Sequence, residues 1–520
     1  MFRKTEPNQQ LNLFTCTQNF LNERQKKEFE KSTNWHNVFR TQILERIDEE
    51  LFSRFYHDSF GAPNASIRVL LGMNILKEAY NWSDSQLFSQ CLFNLQVRNA
   101  LGLHNIDDPI PADFTYYQLR RRIVQWNMEG EEDILKEVFA HLTKDQILEF
   151  NVECKRVRID SKLLGSNIKW YTRYELIHET LRKAYSSNKS QIDPFLSESD
   201  IAFLNDITDE TGDKFCYRSN ISEIESRLHL LGTIIYKIIS INIVDTLGDI
   251  DILCSVFEQQ YEIVDGKVLP LAKEKIEATS IQSPHDPNCH FRSKDDEKIK
   301  GYSINVIETC NKDNKVNLVT NVIVESASIA DCDFFKPAIQ ATQELTEQQV
   351  EIAHTDGAYH SEENMKFCKE QDIDHVLGAI QGKQSRYDLK YDENGNVIII
   401  DLQTNTIIPA HSVKSETTNK WKIFTDDKKW RYFTEKDIEM CDLRRQIVNR
   451  SPDELNIRNN VEATIFQLCY HFPNNKSKYR GLIKHKMWAF LRCIWINFVR
   501  IMNYLKSITP KCEVNELSAA

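Results

Sequence analysis

The chain has 520 residues, 41% hydrophobic and 27% charged, with a formal net charge of −11. That balance describes a soluble globular protein of two to four domains and leaves ample length for a normal core. An acidic whole-chain charge argues against a polyanion partner, although binding depends on local patches rather than the average.

Residues 1–33 are polar and weakly patterned and predict a loose arm, and "MFRKTEPNQQLNLF" lacks the apolar core of a signal peptide. From residue 34 to about 150 the spacing is helical. "NVFRTQILERIDEELFSRFY" places apolar residues three and four apart, "APNASIRVLLGMNILKEAY" follows, and Ser83 is a candidate cap for the next helix. "IDDPIPADF" breaks the pattern, and "YYQLRRRIVQW" then carries Arg120, Arg121 and Arg122. That triplet reads either as a solvated helix face or as a contact with nucleic-acid backbone.

The period changes at "VECKRVRIDSK". Val157 and Ile159 alternate with Arg156, Arg158 and Asp160, which predicts a strand ending at Asp160. A mainly helical insertion fills about 162–290. Within it, His285, Cys289 and His290 match no zinc spacing and read as a polar loop. "KGYSINVIETC" and "VNLVTNVIVESA" predict a hairpin, "ADCDFFKPAIQATQEL" a helix, and "QVEIAHTD" a strand ended by Asp356. Gly357 follows that acid, and "SEENMKFCKEQD" predicts the next helix. An acid and a glycine at a strand end suit a metal ligand, and equally a turn or cap.

Residues 385–435 predict a β-rich insertion. Asn394-Gly395 sits between two alternating runs, a hairpin signal, and "NKWKIFTDDKKWRYFT" resembles a second one. Beyond Ile438 the pattern is helical. Between Ala463 and Cys512 there are nine Lys and Arg and no Asp or Glu, interleaved with Tyr479, Trp488 and Trp495. The run reads as a solvated helix face or as a phosphate-facing surface. Arg492 and Arg500 interrupt its most apolar segment and argue against a membrane helix. Thirteen cysteines without a CxxC fit reduced cytosolic thiols.

Two acids at strand ends, with a third on a later helix, are a plausible cation site. Clustered carboxylates repel unless a cation holds them, and Mg²⁺ prefers oxygen ligands. Taken together, "RVLLGMNILKEAYNWSDSQLFSQCLFNLQVRNALGL", "PADFTYYQLRRRI", "RIDSK", "SPHDPNCHFRSK" with "KGYSINV", and "HTDGAYHSEEN" resemble, in order, blocks of the DDE transposases of bacterial insertion sequences, of the IS5/IS1182-like group. The resemblance covers roughly 35–125 and 150–500. It implies an all-helical N-terminal DNA-binding and dimerisation domain over 34–150. It also implies an α/β catalytic core over 151–505, a ribonuclease H-like mixed sheet flanked by helices, carrying the insertions at about 162–290 and 385–435 and followed by a tail at 506–520.

By position, Asp160 matches the first catalytic acid and Asp356 the second. Glu462 matches the third, in the motif Tyr-x2-Arg-x3-Glu-x6-Lys, where Arg458 and Glu462 are kept. Leu455 replaces the Tyr and Cys469 the Lys; Lys476 or Lys478 stands farther along, and Asp453 and Glu454 are fallback acids. His354 and Tyr359 read as packing. The resemblance implies that Asp160, Asp356 and Glu462 hold two Mg²⁺ ions, with Mn²⁺ able to substitute, for cleavage at the element's ends followed by attack of the freed 3′-hydroxyl on target DNA. Arg458 would stabilise charge on the phosphate. Lys476, Lys478, Arg480, Lys484, Arg120, Arg121, Arg122, Lys428, Lys429, Trp430 and Arg431 would contact DNA. The expected partners are the terminal inverted repeats and target DNA, bound by a homodimer in the bacterial cytoplasm at the nucleoid and not at a membrane. The competing readings are a metal-dependent nuclease without strand transfer and an inactive transposon-derived DNA-binding protein.

Overall fold

The computed structural model of the protein describes residues 1–5, 14–130, 133–244, 248–294, 297–380, 385–413, 420–425 and 428–509. Among the described residues no helix is long and apolar enough to cross a membrane.

The helical N-terminal region includes α1 (Ile67–Tyr80), α2 (Asp113–Met128) and α3 (Ile134–Phe150), with shorter helices between them. Ser66 caps α1 by accepting from the Val69 N–H, and Asp133 caps α3 in the same way through the Leu135 and Lys136 N–H groups. Ser83 caps its short helix, as the sequence predicts, and Gln86 completes a capping box. Nearly every side chain of α1 is buried.

The chain then enters β1 (Arg156–Gly165). The excursion that follows holds α4 (Arg173–Ile192), α5 (Ile221–Ile239) and α6 (Asp249–Gln260), and closes on a small hairpin, Tyr261–Val264 with Lys267–Pro270. It has its own core around Leu181, Tyr185, Leu231 and Leu253.

The sheet resumes with β2 (His290–Lys294), β3 (Glu297–Thr309) and β4 (Val319–Ser326). Next come α7 (Phe335–Thr346), β5 (Ile352–Thr355), α8 (Glu362–Gln371) and β6 (Asp374–Leu377). β3 lies antiparallel to β1, while β5 and β6 run parallel to it in the order β3-β1-β5-β6. β2 and β4 share the far edge of β3, β2 on residues 297–301 and β4 on 302–308. This is the mixed, helix-flanked sheet that the sequence predicts.

A second β region follows: β7 (Tyr387–Tyr391), β8 (Val397–Asp401), β9 (Thr406–Ile408), β10 (His411–Val413), β11 (Lys420–Phe424) and β12 (Trp430–Thr434). They form two three-stranded antiparallel sheets, and the Asn394-Gly395 turn joins β7 to β8. The chain returns through α9 (Glu435–Asn449) and α10 (Asn459–Cys469) to the long α11 (Leu482–Ile508). α11 runs through the main core, where Met487, Phe490, Leu491 and Phe498 meet side chains of the N-terminal helices and of β3 and β4.

Candidate active site

β1 and β5 pair in parallel at Arg156 with Ile352, Val157 with Ala353, and Arg158 with His354. Asp160 and Asp356 each stand two residues beyond the last of these pairs. Asp356 keeps an extended backbone, so the two-residue period puts both acids level and on one face of the sheet. Asp160 is not at the end of its strand, as the sequence reading has it. β1 continues to Gly165 because β3 pairs with it along its whole length. What ends before Asp160 is the pairing with β5, whose last partner is Arg158.

Gly357 explains why the turn begins after Asp356. A Cβ on it would lie 2.2 Å from the Ala379 carbonyl oxygen, so only glycine lets the two backbones pass. Asp356 caps the following short turn by accepting from the Ala358 N–H at 2.9 Å. Ser361 caps α8 through the Asn364 N–H at 3.1 Å. The cap reading of Asp356 holds, and it uses one carboxylate oxygen.

Glu462 lies in the first turn of α10, which packs against β1 and β3. Arg458 joins it to the first acid: its Nη2 is 2.8 Å from Glu462 Oε1 and 3.5 Å from Asp160 Oδ2. One guanidinium nitrogen thus bridges the two carboxylates. Asp160 is buried, and its other oxygen accepts from the Ser161 N–H at 2.8 Å. Burial raises its pKa to about 6; the backbone hydrogen bond and Arg458 oppose that shift, while the charges of Asp356 and Glu462 add to it. All three acids therefore share one electrostatic neighbourhood. Glu462 remains more than half exposed and turned to Arg458, and among the described residues no three His, Cys, Asp or Glu side chains are close enough to hold one ion.

Beneath the acids, Tyr359 is buried and accepts from Asn305 Nδ2 at 2.6 Å, and the Ser161 hydroxyl donates to Asp331 at 2.8 Å. His354 is buried as packing, its pKa pushed down to about 4 by burial. Sequence reasoning missed Asn305 and Asp331. The signal available for Asn305 was an amide inside the apolar run "SINVIET".

The predicted DNA contacts divide. Arg120 donates to the Tyr116 hydroxyl at 3.1 Å and lies over that ring, and Arg122 lies over Tyr56 at 4.7 Å, which leaves Arg121 as the exposed member of the triplet. Lys478 is spent on Asn81 and Glu78 of the N-terminal region. Lys476, Arg480 and Lys484 are exposed. Of the basic run, Arg492 and Arg500 point inward, so these two belong neither to a solvated face nor to a phosphate surface.

In the β region Lys428, Lys429, Trp430 and Arg431 are exposed. Arg431 pairs with buried Ile423 and lies over Tyr387, on the face opposite Trp430. Trp430 shares its face with Phe424, Lys422 and Tyr432, and Lys422 Nζ is 4.5 Å from the Trp430 ring.

Among solved structures, the chain matches the piggyBac transposase in its synaptic complex with hairpin DNA, at 9% identity and a TM-score of 0.29, covering 91% of this chain and 75% of that one. A likeness that low carries no argument. No curated protein matches the chain. Two families do. The Transposase domain (DUF772) matches residues 26–122, in the helical N-terminal region, and the Transposase DDE domain matches residues 263–498. The second match spans Asp356 and Glu462 and begins after Asp160. With more than half of its length matched by transposase families in their chain order, the protein belongs to the DDE transposases, of the IS5/IS1182-like insertion-sequence type.

Proposed function

We propose that this transposase cuts DNA at the ends of an insertion sequence and transfers the ends into target DNA, with Asp160, Asp356 and Glu462 as ligands for two divalent ions. The observation that supports it is the level placement of Asp160 and Asp356 on neighbouring strands, with Glu462 tied over them through Arg458. The donor set suits a hard cation, since all three side chains offer oxygen, and mutual repulsion of clustered carboxylates is what such a cation relieves. Mg²⁺ fits best, with Mn²⁺ as a substitute. Bound there, the ions would supply charge neutralisation at the scissile phosphate and acidify the attacking water.

The chain's own part is to hold and orient. Asp160 sits on β1 and Asp356 just past the end of β5, while Glu462, on an exposed helix turn, must release Arg458 to join them. Arg458 then lies within reach of a phosphate bound beside the acids. Arg121, Lys476, Arg480, Lys484, Lys428 and Lys429 are the exposed cations proposed to touch DNA backbone, and the Trp430 face is proposed to touch it near the cleavage point. The helical region over 34–150 would bind the terminal repeats or pair two copies, in the cytoplasm at the nucleoid.

The test is cleavage of a duplex carrying the element's ends in Mg²⁺. Asp160→Asn, Asp356→Asn and Glu462→Gln should each lower the rate by about 10³-fold or more. Cleavage that survives Asp356→Asn sinks the assignment. Joining of pre-cut ends separates a transposase from a nuclease that only cuts.

A further inference from the structure

Glu308, on β3, pairs directly with Arg158 of β1 and is fully buried. Its carboxylate accepts from three elements: Arg158 Nε at 2.5 Å, Thr464 Oγ1 of α10 at 2.8 Å, and Arg500 Nη2 of α11 at 2.5 Å. Arg158 reaches on to the Ile457 carbonyl at 3.2 Å, next to Arg458 at the start of α10. Arg500 also donates to the Thr464 hydroxyl at 2.6 Å and to the Asn317 carbonyl at 3.0 Å.

The spacing connects this network to the acids. Arg158 precedes Asp160 by two residues on the same face of β1, and Thr464 follows Glu462 by two on α10. One buried carboxylate therefore holds both the strand that carries the first acid and the helix that carries the third. Buried ion pairs add little net stability over apolar packing of the same volume, because desolvation offsets the attraction. What they do supply is direction, since each donor accepts only a narrow range of angles.

We propose that Glu308 is a positioning residue that sets the separation of Asp160 and Glu462, and through it the affinity of the site for divalent ions. The inference rests on the carboxylate site proposed above. Groups that orient metal ligands typically change affinity by about 10- to 100-fold when removed.

The experiment is Mn²⁺ titration of the full chain by calorimetry, at a temperature where circular dichroism shows each variant folded. Glu308→Gln should weaken Mn²⁺ binding by about tenfold. Thr464→Val, similar in shape but without the hydroxyl, should weaken it by about threefold, and Thr464→Ser should restore it. The Thr464 pair carries the test if Glu308→Gln does not fold. A merely structural role would lower the melting temperature and leave the affinity of the folded protein unchanged. Wild-type binding matched by Thr464→Val and by any folded Glu308→Gln overturns this inference alone. A wild-type chain that takes up no Mn²⁺ overturns the carboxylate site and the inference together.

Discussion

Helix α11 and the β11–β12 hairpin look alike in sequence, both rich in Lys, Arg and aromatics, yet they are placed in opposite ways. In α11 the residues from Met487 to Ile494 are all buried, Arg492 among them. Its guanidinium donates to the carbonyls of Leu468 at 3.3 Å, Glu78 at 3.2 Å and Ala79 at 3.1 Å, and to that of Gln467. These are carbonyls at the C-terminal ends of α10 and α1, groups that a helix cannot satisfy from within and that favour a cation. In the hairpin, alternation turns Ile423 and Phe433 inward and leaves Lys422, Phe424, Trp430 and Tyr432 on the open face. A basic, aromatic stretch is thus not by itself a nucleic-acid surface. A helix can consume its cations as internal caps, whereas a strand with one buried face has to show the other.

The largest effect expected from this contrast is on the inward side. Arg492→Ala removes a donor shared by four carbonyls, three of them buried, and should cost about 3–5 kcal/mol in urea denaturation. A loss below about 1 kcal/mol would put α11 nearer the surface than described. DNA affinity of the folded fraction should not change.

Asp160 stands between the extremes, buried yet close to Arg458 and to the other two acids. Its folded pKa, about 6, lies above its unfolded value of 3.8. The protonated form is therefore favoured by folding. The associated stability is fully present below pH 4 and is lost as pH rises through 6. In chelator, Asp160→Asn should stabilise the protein by about 2–3 kcal/mol at pH 8 and by nothing below pH 4. Melting curves across that range check it, and equal curves at pH 8 contradict it.

On the outward side, Trp430→Ala should weaken DNA binding by about 1–3 kcal/mol if bases stack on the ring. Its urea midpoint should hold, because the ring is nearly half exposed. The smallest effect is that of Lys422→Gln. It should weaken binding by less than about 1 kcal/mol and reduce the salt slope of DNA affinity by about 0.9, one phosphate contact. Arg431→Gln, on the other face, should leave that slope alone. Equal slopes for the two variants would erase the distinction between the faces.

Much of the sheet could be read in advance. A period-two run predicts β1, apolar runs predict β3, β4 and β5, and Asn394-Gly395 predicts the β7–β8 turn, because all are local signals and the turn dipeptide chooses the backbone. The two Asp residues stood out through their place in such runs. Arg120 and Arg122 turn to rings, Tyr116 one turn back on the same helix and Tyr56 on another segment, and helix spacing alone does not show which cations do so. Glu308 went unnoticed because its three partners lie 150, 156 and 192 residues away in the chain. A charge in an apolar strand was the signal, and it does not name its partners.

By itself the sequence determined the order of the main helices and strands and the family to which the chain belongs. The tertiary structure decided that Asp160 and Asp356 stand level, that Arg458 bridges Asp160 to Glu462, and which cations turn inward. The reason is range. Periodicity and turn chemistry act over a few residues, whereas register between β1 and β5, or the contact of α11 with α1, joins segments hundreds of residues apart and depends on how the whole core closes.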